Sequence, residues 1–201
     1  MPPEPRRPAI NRLFFALWPD DAVRAACAAA ARSLRIRVPP GGHLSRPERY
    51  HLTLLFLGDC VPADKEAALR QAAGLLRLPP FALRLDQAGS FHRRSVPWWL
   101  GMREVPQPLQ RLHERLRDAA LRVGLAPDRA RFVPHVTIVR DAGKPLPMTP
   151  IAPIHWHVDA FVLVRSRLER TPSEYELLGR WPLDGLPGED PRDPDQLALA
   201  L

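Results

Sequence analysis

The hydrophobic pattern divides the chain into short apolar runs separated by amphipathic stretches, which is the signature of strands alternating with helices. Arg12 to Leu17 (Arg-Leu-Phe-Phe-Ala-Leu) reads as a buried strand, and Pro19-Asp20-Asp21 opens a helix to about Leu34 with its acids at the positive end of the dipole. A loop from Val38 to Arg49, marked by Pro39-Pro40-Gly41-Gly42, leads into the apolar run His51 to Leu57, which Gly58 closes. Pro62 starts a second helix to about Leu76, and a strand follows from Phe81 to Leu85 or slightly beyond. Val96 to Met102 is another strand. Alternation sends Trp98 and Trp99 to opposite faces of it, so one of the two at most belongs in the core.

Leu109 to Val123 places Leu109, Leu112, Leu116 and Ala120 on one helical face and stops at Gly124. His135 to Val139, Ile154 to Val164 and Glu174 to Trp181 complete the expected strands. The order strand, helix, loop, strand occurs twice. His51-Leu52-Thr53 is repeated as His135-Val136-Thr137 after 84 residues (135 − 51), and Phe15 and Trp99 each precede their histidine by 36. Such a period is too long for a solenoid and suits a duplicated half-domain. The expected architecture is α+β: two pseudo-symmetric lobes, each an antiparallel sheet with flanking helices, around a central cleft. The expected organisation is a loose Pro-rich leader over 1–9, one two-lobed domain over 10–185, and an acidic, disordered tail over 186–201.

Composition narrows the picture. With 201 residues and 45% hydrophobic content the chain can bury a core without staples. Its two cysteines form no disulfide framework, and no run approaches a membrane span or a secretory leader, so the expectation is a cytoplasmic protein with no membrane partner. The net charge is +7, and all but Lys65 and Lys144 of the 29 basic residues are arginine, whose planar fork grips phosphate oxygens in pairs. The sign favours a polyanionic substrate over an acidic partner surface.

The repeated His-x-Thr carries the chemistry. The chain has only four threonines and seven histidines, so chance supplies about 0.14 such pairs. On a strand His51 and Thr53 share one face, roughly 7 Å apart, while Leu52, Leu54 and Phe56 take the other; His135 and Thr137 do the same against Val136 and Ile138. Facing one another across a cleft, the two motifs would put two imidazoles on opposite sides of a phosphate and two hydroxyls on its non-reacting oxygens. Imidazole titrates near neutrality, so one can accept a proton from the nucleophile while the other gives one to the leaving oxygen. A strained 2′,3′-cyclic phosphate needs little more.

These residues resemble the 2H phosphoesterase superfamily, and within it the RNA 2′,3′-cyclic phosphodiesterases, also called 2′-5′ RNA ligases. The likeness extends to Arg12-Leu13-Phe14-Phe15-Ala16-Leu17, His51 to Gly58, Gly89-Ser90-Phe91, Arg131 to Arg140, and Tyr175-Glu176-Leu177-Leu178 before Trp181-Pro182-Leu183. The resemblance implies the two-lobed LigT-like fold. It also implies hydrolysis of RNA 2′,3′-cyclic phosphate ends, or of small cyclic nucleotides, to 2′-phosphomonoesters, with reversible 2′-5′ joining of RNA ends as a related activity. By the same resemblance His51 is the proton donor to the departing 3′ oxygen, His135 the proton acceptor that activates water, and Arg140 a phosphate ligand. No metal and no cofactor are implied, and a monomer is expected.

Other positions bear on substrate. Strict alternation turns Arg140 away from His135, so either the strand bulges before it or another guanidinium serves, with Arg131 the second candidate. Phe56 and Phe132 are candidates to stack a base. His43 and His92 lie in loops within reach of substrate, while His113 falls on a polar helix face and is expected to be solvated. His155-Trp156-His157 has a ligand-like spacing without matching acids or cysteines. Two alternatives stay open: a cyclic phosphodiesterase for a small nucleotide such as ADP-ribose cyclic phosphate, and a non-catalytic module that binds RNA ends.

Overall fold

The computed structural model describes residues 11–38, 41–91, 95–127, 130–167 and 174–186. The leader, nearly all of the tail from Pro187 onward, and His92 lie outside the described residues. Among the described residues nine antiparallel strands form one sheet: β1 (Asn11–Leu17), β2 (His43–Leu44), β3 (Leu52–Asp59), β4 (Phe81–Ser90), β5 (Trp98–Gly101), β6 (His135–Arg140), β7 (Thr149–Val158), β8 (Ala160–Arg167) and β9 (Glu174–Pro182). Three helices cover it: α1 (Asp21–Arg37), α2 (Ala63–Ala73) and α3 (Gln107–Arg122).

The sheet order is β7-β4-β5-β6-β3-β1-β8-β9, with β2 added to β6. It divides at the centre, where β3 and β6 touch through the single pair Leu52 and Val136. On one side lies a first half-sheet, β3-β1-β8-β9, and on the other a second, β6-β5-β4-β7. These are the two expected lobes. The helices cross between them: α1 packs on β6 and β7, and α3 on β3 and α2.

Local chemistry explains the helices. Asp20 caps α1 by accepting the Val23 amide at 2.8 Å, and Val23, Cys27, Ala28, Ala31 and Leu34 form its buried stripe. In α3 the buried stripe is Leu109, Leu112, Leu116, Ala119 and Ala120. Its C-terminal carbonyl at Val123 accepts a 2.6 Å bond from Lys65 Nζ, a cation placed on the negative end of the helix.

Two expectations change. The run expected as one strand from Ile154 to Val164 is two strands on opposite halves of the sheet, joined by Asp159 alone. The apolar period continues across the junction, so the pattern does not mark it. One linking residue keeps the ends of β7 and β8 within about 7 Å, so the sheet curls until its two halves approach. Trp98 and Trp99 are both buried, but only Trp98 joins the main core, while Trp99 packs on Phe91 outside it; in the register with β6, Trp98 pairs with Val139 and Trp99 with Thr137. The same register shows that the 36-residue correspondence is one residue out. Ala16 pairs with Thr53 as Trp99 pairs with Thr137, so Trp99 matches Ala16, and Trp98 matches Phe15.

Candidate active site

The junction between the halves sets the site. Because β3 and β6 are antiparallel and Leu52 opposes Val136, the register places His51 across from Thr137 and Thr53 across from His135. The four side chains form a square with the two histidines on one diagonal, about 8 Å apart from Cα to Cα by ordinary strand spacings. Leu52, Leu54, Val136 and Ile138, of opposite parity, are fully buried beneath it. The parity argument from sequence therefore holds for both His-Thr pairs.

Each imidazole is held alike. His51 Nδ1 donates to the Arg49 carbonyl at 2.8 Å, and His135 Nδ1 donates to the Val133 carbonyl at 2.7 Å. A carbonyl only accepts, so Nδ1 carries the hydrogen in both rings, and Nε2 is the nitrogen that exchanges a proton. The surroundings differ. His51 is walled by Phe14 at 5.1 Å, by Trp18 stacked at 5.9 Å and by the edge of Tyr175 at 5.4 Å between centroids, whereas His135 meets the edge of Phe91 at 4.7 Å. Burial pushes His51 down to about 4; the Arg49 carbonyl opposes the shift, and Arg140, His135 and Arg49 add to it.

Arg140 belongs to this site, and a bulge explains how. In β6, Thr137 and Val139 pair with the adjacent residues Trp99 and Trp98, leaving Ile138 as the extra residue. Ile138 and Val139 both point into the core, the alternation flips, and Arg140 emerges on the Thr137 side, lining a pocket with His51. The first copy does the same. Thr53 and Leu55 pair with the adjacent Ala16 and Phe15, Leu54 is extra, and Leu54 and Leu55 are both buried. Phe56 therefore joins the face of His51 and Thr53 and pairs with Phe14, which corrects the expectation that it points away.

Other candidates separate. Phe132 stacks on His113 at 4.1 Å with the rings nearly parallel, and is packed against the core, so it is not placed to stack a base. His113 is half-buried and bonded at 2.8 Å to the carbonyl of Leu54, the bulged residue, which corrects its assignment as solvated. Arg131 is exposed and does not line the pocket. His155 and His157 are exposed on β7 with Trp156 buried between them, and among the described residues no three His, Cys, Asp or Glu cluster as metal ligands. Nor is any described helix long and apolar enough to cross a membrane.

The pocket, about 210 Å³, is lined by His43, Leu44, Ser45, Arg46, Arg49, His51, Thr137 and Arg140. Sequence reasoning offered His43 and missed Arg46 and Arg49. They reach the pocket because β2 closes on β6, pairing His43 with Arg140. That approach requires Gly42, which has φ +67° and where any Cβ would collide with the Arg140 carbonyl. Arg49 then lies over the Tyr175 ring at 4.7 Å. The available signal was basic residues spaced three apart just before a motif histidine.

Known proteins resemble the chain in sequence and in fold. The family model for the 2′-5′ RNA ligase superfamily matches residues 19–170. A protein of Escherichia coli strain K12 named RNA 2′,3′-cyclic phosphodiesterase is 40% identical over 147 residues, 72% of this chain and 82% of its own. One of the same name from Thermus thermophilus is 33% identical over 190 residues, 89% and 93% of the two chains. The apo crystal structure of E. coli LigT superposes with a TM-score of 0.75 at 36% identity, covering 88% of this chain and 99% of that one. LigT with 3′-AMP gives 0.74 at 37% identity, covering 87% and 98%. This chain belongs to the 2′-5′ RNA ligase superfamily.

Proposed function

We propose that the protein is an RNA 2′,3′-cyclic phosphodiesterase, opening cyclic phosphate ends to 2′-phosphomonoesters by acid–base catalysis between His51 and His135. The relatives' names and the LigT likeness support the activity, and the His51/Thr137, Thr53/His135 square supports the mechanism. In the forward step a water oxygen forms a bond to phosphorus and the bond from phosphorus to the 3′ oxygen breaks. His135 Nε2 takes the water proton, and His51 Nε2 gives one to the 3′ oxygen. Thr53, Thr137 and Arg140 hold the non-bridging oxygens, where charge accumulates. Both proton transfers are supplied by the chain, so turnover is expected to persist in excess chelator.

With a 5′ hydroxyl in place of water, the same step joins RNA ends through a 2′-5′ linkage: His135 takes the proton of the attacking hydroxyl and His51 gives one to the departing 3′ oxygen, and cleavage of that linkage runs the step backward with the proton roles exchanged. Hydrolysis of mononucleoside 2′,3′-cyclic phosphates, with and without chelator, tests the proposal. Each of His51→Ala and His135→Ala should lower kcat by about 10²- to 10⁴-fold. Undiminished turnover in the double variant would refute it.

A further inference from the structure

The duplication makes the two halves of the cleft comparable residue by residue, and their chemistry differs. Arg49 and Val133 are true mates, since each lends its carbonyl to the motif histidine two residues on. Yet one side chain is a guanidinium over Tyr175 and the other an aliphatic group 44% exposed. The bulges likewise make Arg140 the mate of Phe56, itself 39% exposed. Arg46 corresponds to Ala130, and Arg131, mate of Pro47, stays outside the pocket. Three arginines thus gather on the His51 side, and the equivalent positions on the His135 side are Ala, Val and Phe.

The basic side exceeds the needs of one phosphate. Its pocket has about 210 Å³, roughly seven waters' worth, against the five heavy atoms of a phosphate group. No Asp or Glu lines it, and among the described residues neither Arg46, Arg49 nor Arg140 has a carboxylate partner. Ser45 Oγ is buried there with no hydrogen-bond partner. A cluster of uncompensated cations around an unsatisfied hydroxyl is arranged for an anion. Arg140 follows the Thr137 strand and pairs with His43, while Arg46 and Arg49 enter the same pocket from the separate 43–49 segment.

We infer that Arg46 and Arg49, with His43 and Ser45, form a subsite for a second phosphate: the phosphodiester that links the terminal nucleotide of an RNA to the one before it. The inference rests on the cyclic phosphodiesterase reading and specifies its substrate as an oligonucleotide rather than a mononucleotide. It also fixes polarity, because the chain's phosphates run toward the His51 side, leaving the apolar side around Phe56 and Val133 for the terminal base.

The test compares kcat/KM for three substrates, a mononucleoside 2′,3′-cyclic phosphate, a dinucleotide ending in one, and ADP-ribose cyclic phosphate, in the wild type, Arg46→Ala and Arg49→Ala. The wild type should prefer the dinucleotide at least tenfold. Each variant should reduce that preference by threefold or more through KM, with Arg46→Lys restoring part of it, and should flatten the salt dependence for the dinucleotide. A preference below threefold in the wild type, or one the variants leave within threefold, overturns the subsite. So does a defect confined to ADP-ribose cyclic phosphate, which would assign the arginines to a pyrophosphate. If the wild type hydrolyses none of the three substrates, the fault lies in the proposed function itself.

Discussion

His51 is neutral at pH 7, because burial and the cations around it hold it near 4. A proton donor must be charged, so the proposed role requires the substrate to bring the proton with it. The size of that effect follows from the geometry. A phosphate oxygen carrying one negative charge about 4 Å from the imidazolium, at an effective dielectric near 20, is worth about 4 kcal/mol, or about 3 pH units. Binding should therefore lift His51 from about 4 into the neutral range, with one proton taken up per phosphate bound between those limits. Ring resonances of His51, assigned by comparison with His51→Asn, can be titrated by NMR with and without saturating inorganic phosphate. Calorimetry in buffers of different ionisation enthalpy counts the proton independently. If phosphate binds and moves His51 by less than half a unit, His51 is not the donor, and the two histidines exchange roles in hydrolysis.

The same group shapes acid stability. Between pH 6.5 and about 4 the unfolded chain protonates this imidazole and the folded chain does not, so stability rises with pH across that window and is lost as pH falls. The loss amounts to about 3 kcal/mol, and urea unfolding of His51→Asn should show a flatter profile there by that amount; parallel profiles would contradict it. His113→Ala should lower stability by about 2 kcal/mol in urea unfolding, because the Leu54 carbonyl loses its 2.8 Å partner and Phe132 loses its stacked neighbour. A wild-type midpoint in that variant would mean that water satisfies the carbonyl equally well.

The two His-Thr pairs, the duplication and the two-lobed fold were legible because each is a matter of spacing and parity, which the backbone enforces. Parity failed where the backbone inserts a residue. The bulges at Leu54 and Ile138 reversed the facing of Phe56 and Arg140, and the only trace in sequence is the apolar doublet after each motif threonine, Leu54-Leu55 and Ile138-Val139. Alternation alone treats such a doublet as one residue in and one out. The boundary at Asp159 and the docking of Arg46 and Arg49 were hidden for another reason: both follow from how distant strands meet, which no local window contains.

Apart from the two-residue β2, the second half-sheet comes from one stretch, β4 through β7, whereas the first collects β1 and β3 from before it and β8 and β9 from after it. A ribosome therefore releases every strand of the second half before the first can close. His135 finds its sheet early, while His51 gains the Tyr175 wall only with the last strand to emerge. In the first half Asn11 pairs with Arg167 and Pro182 with Ala160, so its first and last strand residues lie at opposite ends of β8, and the wall around His51 is complete only when β9 has run the full length of its neighbour.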